Sequence, residues 1–160
     1  MSDHKKIHYG QLGEDAFLEH YFKNQKNGVY VDIGCHHPER YSNTFLLYSK
    51  MNWSGLNIDA NPDTIELMKQ SRTRDINVNC GIASHKGVLE YFRFTDGAVN
   101  TFDKELSARQ SKKFTPIESV NVLCDTLGSI SKEYADVCEK CSYLNIDCEG
   151  LDQQVLEGND

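Results

Sequence analysis

An α/β fold with a parallel sheet is what this chain predicts, and three observations predict it. Short apolar runs of β type alternate with helical patterns in a β-α-β-α-β series. The first run, within GVYVDIGCHHP (Gly28 to Pro38), breaks at a glycine, Gly34. The next, GLNIDA (Gly55 to Ala60), ends in an acid, Asp59. Alternating strands and helices imply parallel pairing through right-handed crossovers. At 160 residues the chain fits one domain, taken here as residues 1–160.

The elements follow in order. Residues 11–23, QLGEDAFLEHYFK, place Leu12, Ala16, Phe17 and Phe22 at helical spacing, which predicts an amphipathic helix before the first strand. Val29, Val31 and Ile33 alternate as a buried strand. Ser42 to Lys50 reads as a second helix that packs Phe45, Leu46 and Tyr48, with Ser42 or Asn43 as its cap. Gly55 to Ala60 is strand two. Asn61-Pro62-Asp63 opens a third helix running to about Ser71, and Pro62 suits its first turn. Asp75 to Cys80 is strand three. Val88 to Phe94 and Val120 to Cys124 then read as an antiparallel insertion, with the polar segment Asp103 to Lys113 between them. Arg93 and Lys104 are expected in solvent. Helical material at Asp125 to Lys140 precedes a fourth strand, Ser142 to Gly150, and Leu151 to Glu157 starts a last helix.

Bulk properties exclude several function classes. A formal net charge of -7 argues against a nucleic-acid partner, because phosphate binding needs a basic surface. No apolar run approaches the ~20 residues of a membrane-spanning helix. The start, MSDHKKIHYG, lacks the apolar core of a secretory signal, so a cytoplasmic location is expected. Six cysteines outside a secretory context read as free thiols. Cys138 and Cys141 have the spacing of half a zinc site, but no matching half accompanies them. Cys35, Cys80 and Cys148 each follow an apolar strand, which puts them together at the carboxyl edge of one sheet.

A glycine turn ending one strand and an acid ending the next is how an open α/β sheet holds a nucleoside. Gly34 allows a tight turn and close approach of a ligand. Asp59 can hold both ribose hydroxyls, although the following Asn61-Pro62 also suits a helix-capping aspartate. A nicotinamide cofactor would use an acid in the same place, so a nicotinamide-dependent oxidoreductase is an alternative.

YGQLGEDAFL, VDIGCHHP, SNTFLLY, WSGLNIDANP, INVNCGIAS, VNTF and LNIDCEGLD occur here in the order in which they recur in FkbM-type methyltransferases, which the chain resembles from about Tyr9 to Asp160. The resemblance implies a Rossmann-like class I methyltransferase sheet of strand order 3-2-1-4 with S-adenosylmethionine as cofactor. It implies methyl transfer to a hydroxyl of a sugar or other small polar acceptor. Asp32, Gly34, Cys35 and His36 would then form the loop under the methionine moiety, with Asp32 accepting from its ammonium group. Asp59 and Ala60 would meet the ribose, and Asn79 and Gly81 would border the adenine. Gln11, Glu14 and Asp15 would belong to a covering segment, or would simply complement a helix dipole. Asn100 and Thr101 would lie near the acceptor.

Methyl transfer to a hydroxyl requires alignment and removal of one proton. Asp147, then Glu149, are the first candidates for that base, with His36 and His37 as alternatives. These four could also hold a divalent metal, although none is expected. The chain ends where the family continues, so the resemblance implies a C-terminally truncated domain and a fourth strand with an open edge, where a second copy could pair. A cofactor-binding but inactive assembly module is the remaining alternative.

Overall fold

The computed structural model describes residues 8–23 and 25–159. In chain order the elements are α1 (Glu14–Tyr21), β1 (Val29–Ile33), α2 (Phe45–Met51), β2 (Ser54–Asp59), α3 (Pro62–Ser71), β3 (Ile76–Asn79), β4 (Gly81–Ile82) and β5 (Gly87–Phe94). There follow a 3-10 turn (Gly97–Val99), α4 (Lys104–Gln110), β6 (Pro116–Asp125), α5 (Leu127–Glu133), α6 (Ala135–Cys138), β7 (Cys141–Ile146) and α7 (Asp152–Glu157).

β3, β2, β1 and β7 form one sheet in that order, and every neighbouring pair is parallel. Parallel sheets need cover on both faces. Val31, Ile33, Leu56 and Ile58 pack one face against Leu127, Ile130 and Val155. On the other, Tyr30 packs with Leu18, Leu46, Leu47 and Trp53. Each fully buried Leu or Ile side chain contributes about 1.5–3 kcal/mol. A smaller sheet, β4-β6-β5, stands beside the first, with β5 and β6 antiparallel from Gly87↔Cys124 to Phe94↔Pro116.

A polar row crosses the larger sheet at one level. Asn145, Asp32, Asn57 and Asn77 lie in register on successive strands. Asn145 Nδ2 donates to Asp32 Oδ1 at 2.9 Å, and Asn57 Nδ2 donates to Asn77 Oδ1 at 2.9 Å. Buried polar groups are tolerated when they are hydrogen-bonded in this way.

Several elements differ from the sequence expectation. The first helix begins at Glu14 because Gly13, at φ 86°, turns the chain just before it. Its buried face carries Leu18 and Asp15, whereas Leu12 and Phe17 are exposed. Asp15 Oδ2 accepts from Tyr9 N at 2.7 Å, which fixes the rotation of the helix and leaves Phe17 stacked on Tyr21 outside. The polar segment after Asp103 holds α4, capped by the Asp103 carboxylate on Glu105 N and Leu106 N. Arg93 is held between two carboxylates, those of Asp63 and Glu118, rather than projecting into solvent. Of the two proposed caps of α2, Ser42 accepts from Phe45 N at 3.1 Å, while Asn43 bonds elsewhere.

Candidate functional site

The carboxyl ends of the parallel strands open onto a cleft of about 230 Å³, the place where open α/β sheets bind ligands. β1 ends there in Asp32, Gly34, Cys35 and His36, and β2 ends in Asp59 and Ala60. Gly81 follows β3, and Asp147 and Glu149 follow β7. Gln11 and Glu14, from the start of α1, complete the expected set.

Gly34 stands at φ 78°, and its amide donates to Ile58 O at 2.9 Å. A Cβ at Gly34 would lie 1.9 Å from the carbonyl oxygen of Asp147. The glycine is therefore demanded by the neighbouring strand's backbone rather than by a ligand. The next turn places His36 in the left-handed region, at φ 52°, so that its amide donates to Asp59 Oδ2 at 2.9 Å. Asp59 Oδ1 accepts from Asn61 N at 2.8 Å. Each carboxylate oxygen of Asp59 thus keeps a lone pair for a further donor. Burial pushes its pKa up to about 6, against the pull of those two amides.

Asp32 is buried, and both of its oxygens are bonded, Oδ2 from Thr44 Oγ1 at 2.7 Å and Oδ1 from Asn145. Burial raises its pKa despite these bonds. Asn145 Oδ1 in turn accepts from Asn43 Nδ2 at 3.1 Å and from Tyr143 OH at 3.1 Å. This leaves the Asn43 amide oxygen buried with no partner among the described residues. Asn43 and Asn145 both line the cleft.

Asp147 and Glu149 sit on a tight corner. Glu149 at φ 46° and Gly150 at φ 103° turn the chain, and Thr101 Oγ1 ties the corner down by donating to Glu149 O at 2.7 Å. Burial raises the Asp147 pKa, and the charges of Asp152, Asp32 and Glu14 add to the shift. Burial raises that of Glu149 as well, with Asp147 and Asp152 contributing. His36 is driven the other way by burial, Arg40 and His37, which keeps its ring neutral at neutral pH.

Four expected residues stand outside the cleft lining: the buried Asp15 and Thr101, and His37 and Asn79. His37 Nδ1 accepts from Glu39 N at 3.0 Å and from Arg40 N at 2.9 Å, so its ring staples the loop after β1. Asn79 turns its amide onto the carbonyl oxygens of Asp59 and Ala60, at 2.9 and 3.1 Å, bracing the tip of β2. A Cβ at Gly81 would meet Cys124 and Phe102, so that glycine serves packing. Among the described residues no group of three or more His, Cys, Asp or Glu side chains is arranged to hold a metal ion, and no helix is long and apolar enough to cross a membrane.

Sequence reading missed part of the wall. Asn145 carried a signal, a polar residue inside an apolar strand. The Asp96–Val99 stretch and Tyr91, from the insertion, carried none, because they reach the cleft through the β5–β6 pairing, whereas Asn100, expected near the acceptor, does line the cleft.

A family model described as Methyltransferase FkbM domain matches residues 32–160, which include the smaller sheet, most of the larger one and nearly the whole cleft. The chain belongs to the FkbM methyltransferase family. No curated protein and no solved structure matches it. The matched residues thus carry a methyltransferase domain and supply most of the cleft wall.

Proposed function

We propose that this FkbM methyltransferase transfers a methyl group from S-adenosylmethionine to a hydroxyl of a sugar-like or other small polar acceptor, in the cytoplasm. The observation that carries the reading is the spare pair of lone pairs on Asp59, buried at the tip of β2 beside the β1 turn. When bound, the cofactor supplies an electrophilic methyl on a sulfonium. Asp59 accepts from the ribose hydroxyls. Asp32 acts through Asn145, because its own oxygens are already bonded. Asp147 takes the acceptor's proton, with Glu149 beside it and the neutral His36 ring across the cleft as a second acceptor. A small acceptor also agrees with a net charge of -7, which disfavours nucleic acid. Among the described residues β7 pairs with β1 alone, and its other edge is where we place pairing with a second copy.

The test is methyl transfer from labelled S-adenosylmethionine to a panel of hydroxylated acceptors, with cofactor binding measured in parallel. Label on a hydroxyl oxygen supports the reading. Tight cofactor binding without transfer to any acceptor indicates an inactive assembly module, and binding of NAD in its place indicates an oxidoreductase.

Two further expectations concern binding. Ribose hydroxyls bond the ionised Asp59, whose pKa burial raises to about 6. Affinity for S-adenosylmethionine is therefore flat above neutrality and falls towards tenfold per pH unit below about 6. Asp59→Asn removes this dependence and weakens binding by roughly 10- to 100-fold, the loss of hydrogen bonds to a charged group. Calorimetric titration across that pH range measures both effects. Cys35, Cys80 and Cys148 all line the cleft, and burial raises each thiol pKa. S-adenosylmethionine should slow their alkylation several-fold while Cys138, outside the cleft, is unaffected. Mass-spectrometric labelling that shows equal rates for all four would contradict the placement.

A further inference from the structure

Thr101, expected near the acceptor, is almost fully buried and lies outside the cleft lining. Its hydroxyl is committed twice. Oγ1 donates to Glu149 O at 2.7 Å and accepts from Asp103 N at 2.9 Å. A hydroxyl has one proton to give and lone pairs with which to receive, so it fills both roles at once. The backbone of Thr101 is fixed as well: its amide donates to Phe92 O at 3.1 Å, and Phe92 N donates to Thr101 O at 2.8 Å. Two residues on, the Asp103 carboxylate caps α4. One side chain thus joins β5, the start of α4 and the corner after β7.

That corner is the part that needs holding. Glu149 stands at φ 46°, a region that a residue with a side chain enters at a cost, and Gly150 follows at φ 103°. Such strain persists where the surroundings over-determine the backbone. Asp147 lies between two anchors. One is its own amide on Ile33 O at 3.0 Å, which continues the pairing of β7 with β1; the other is the Thr101 bond two residues on. Without the Thr101 proton, Glu149 O loses that donor and the corner can relax towards ordinary angles, carrying the Asp147 and Glu149 side chains with it. The parallel sheet fixes where β7 ends, and the insertion fixes how its tip is turned.

Resting on the methyl-transfer reading, we propose that Thr101 is a positioning residue, whose hydroxyl holds the β7 corner in the strained conformation that presents Asp147 to the acceptor. It acts through the backbone of Glu149 and touches neither cofactor nor acceptor.

The experiment compares Thr101→Ser, which keeps the hydroxyl, with Thr101→Val and Thr101→Ala, which remove it. Cys148 sits inside the corner, and burial raises its thiol pKa, so alkylation of the native protein there is slow. Cys35, buried in a different cluster at the end of β1, reports on opening of the fold as a whole. Iodoacetamide, followed by mass spectrometry, should label Cys148 roughly tenfold faster in Thr101→Val and Thr101→Ala, with Cys35 unchanged and Thr101→Ser at the native rate. On the panel acceptor that takes label, kcat should fall by roughly 10²-fold in the two hydroxyl-free variants, the effect of misplacing a catalytic group by about an ångström, while KM for S-adenosylmethionine stays within about threefold. Thr101→Ser should restore kcat. Unchanged labelling of Cys148 in the hydroxyl-free variants overturns the proposal, as does a Thr101→Ser protein as impaired as Thr101→Val. Equal acceleration at Cys148 and Cys35 also overturns it, because that marks a loss of overall stability. No transfer by the native protein to any acceptor counts instead against the methyl-transfer reading, and the labelling of Cys148 then decides whether Thr101 holds the corner.

Discussion

Replacing Asp147 by Asn lowers kcat by roughly 10²- to 10⁴-fold, the range contributed by a positioned general base, while cofactor affinity changes by less than about threefold. Asp147 lines the cleft at the tip of β7, anchored by its amide on Ile33 O at 3.0 Å. Its carboxylate takes no hydrogen bond from the described residues, so it is available to a substrate. Burial and three neighbouring carboxylates raise its pKa towards the working pH, which strengthens it as a base. Only the ionised form accepts a proton, so kcat/KM falls as the pH drops through that raised pKa. Asp152→Asn removes one of the charges that raise Asp147 and keeps the oxygen that accepts from Cys148 N. Its acid limb therefore moves to lower pH. Glu149→Gln, one step further from the proton, has a smaller effect on kcat. Pre-steady-state and steady-state pH profiles of the three variants measure these differences, and an unshifted limb in Asp152→Asn would remove Asp147 from the role of base.

The other large effect is on stability. Arg72 is fully buried, with Nε donating to Pro38 O at 2.9 Å, Nη1 to Tyr30 OH at 2.9 Å and Nη2 to Ser42 Oγ at 2.9 Å. Nη1 lies 3.7 Å from the Asp75 carboxylate, and the guanidinium is flanked by the Phe45 and Tyr48 rings. One side chain thus joins the loop after β1, the start of α2 and the end of α3. Arg72→Met fills most of the volume but leaves a buried carboxylate without its cation and several acceptors unpaired. Removing one partner of a buried pair costs about 3–5 kcal/mol, and denaturant unfolding should show a loss of that size. Arg72→Lys keeps the charge without the planar fork and should lose less. Ser42 and Thr44 hang from this guanidinium, and Thr44 holds Asp32. Even the folded fraction of Arg72→Met should therefore bind S-adenosylmethionine more weakly. A variant as stable as the wild type would show that the cluster contributes nothing net.

The parallel strands were legible because each reports on its own neighbours. VYVDI and GLNID are buried on both faces, YLNID repeats their apolar alternation with Leu144 exposed, and each carries a polar residue at the level of Asp32. The strand-tip residues Asp59, Asp147 and Glu149 followed from that pattern, since a strand's carboxyl end fixes where its next residues go. α1 was less legible. Leu12 and Phe17 looked like core positions by spacing, but Gly13 and the buried Asp15 decide the helix start and its rotation, and both act through backbone hydrogen bonds. His37 and Asn79 also looked functional from their positions beside the cleft. Their side chains instead satisfy nearby backbone groups, which local sequence does not disclose. The insertion's contribution to the wall depends on pairing between residues far apart in sequence, such as Phe94 with Pro116.

The most direct measurement is a crystal structure with S-adenosylhomocysteine soaked into the cleft. The account predicts density with the ribose hydroxyls on the Asp59 carboxylate and the homocysteine end beside Gly34 and Asn145, its sulfur facing Asp147. A ligand bound elsewhere on the molecule, or lying in the cleft with its ribose away from Asp59, would contradict it.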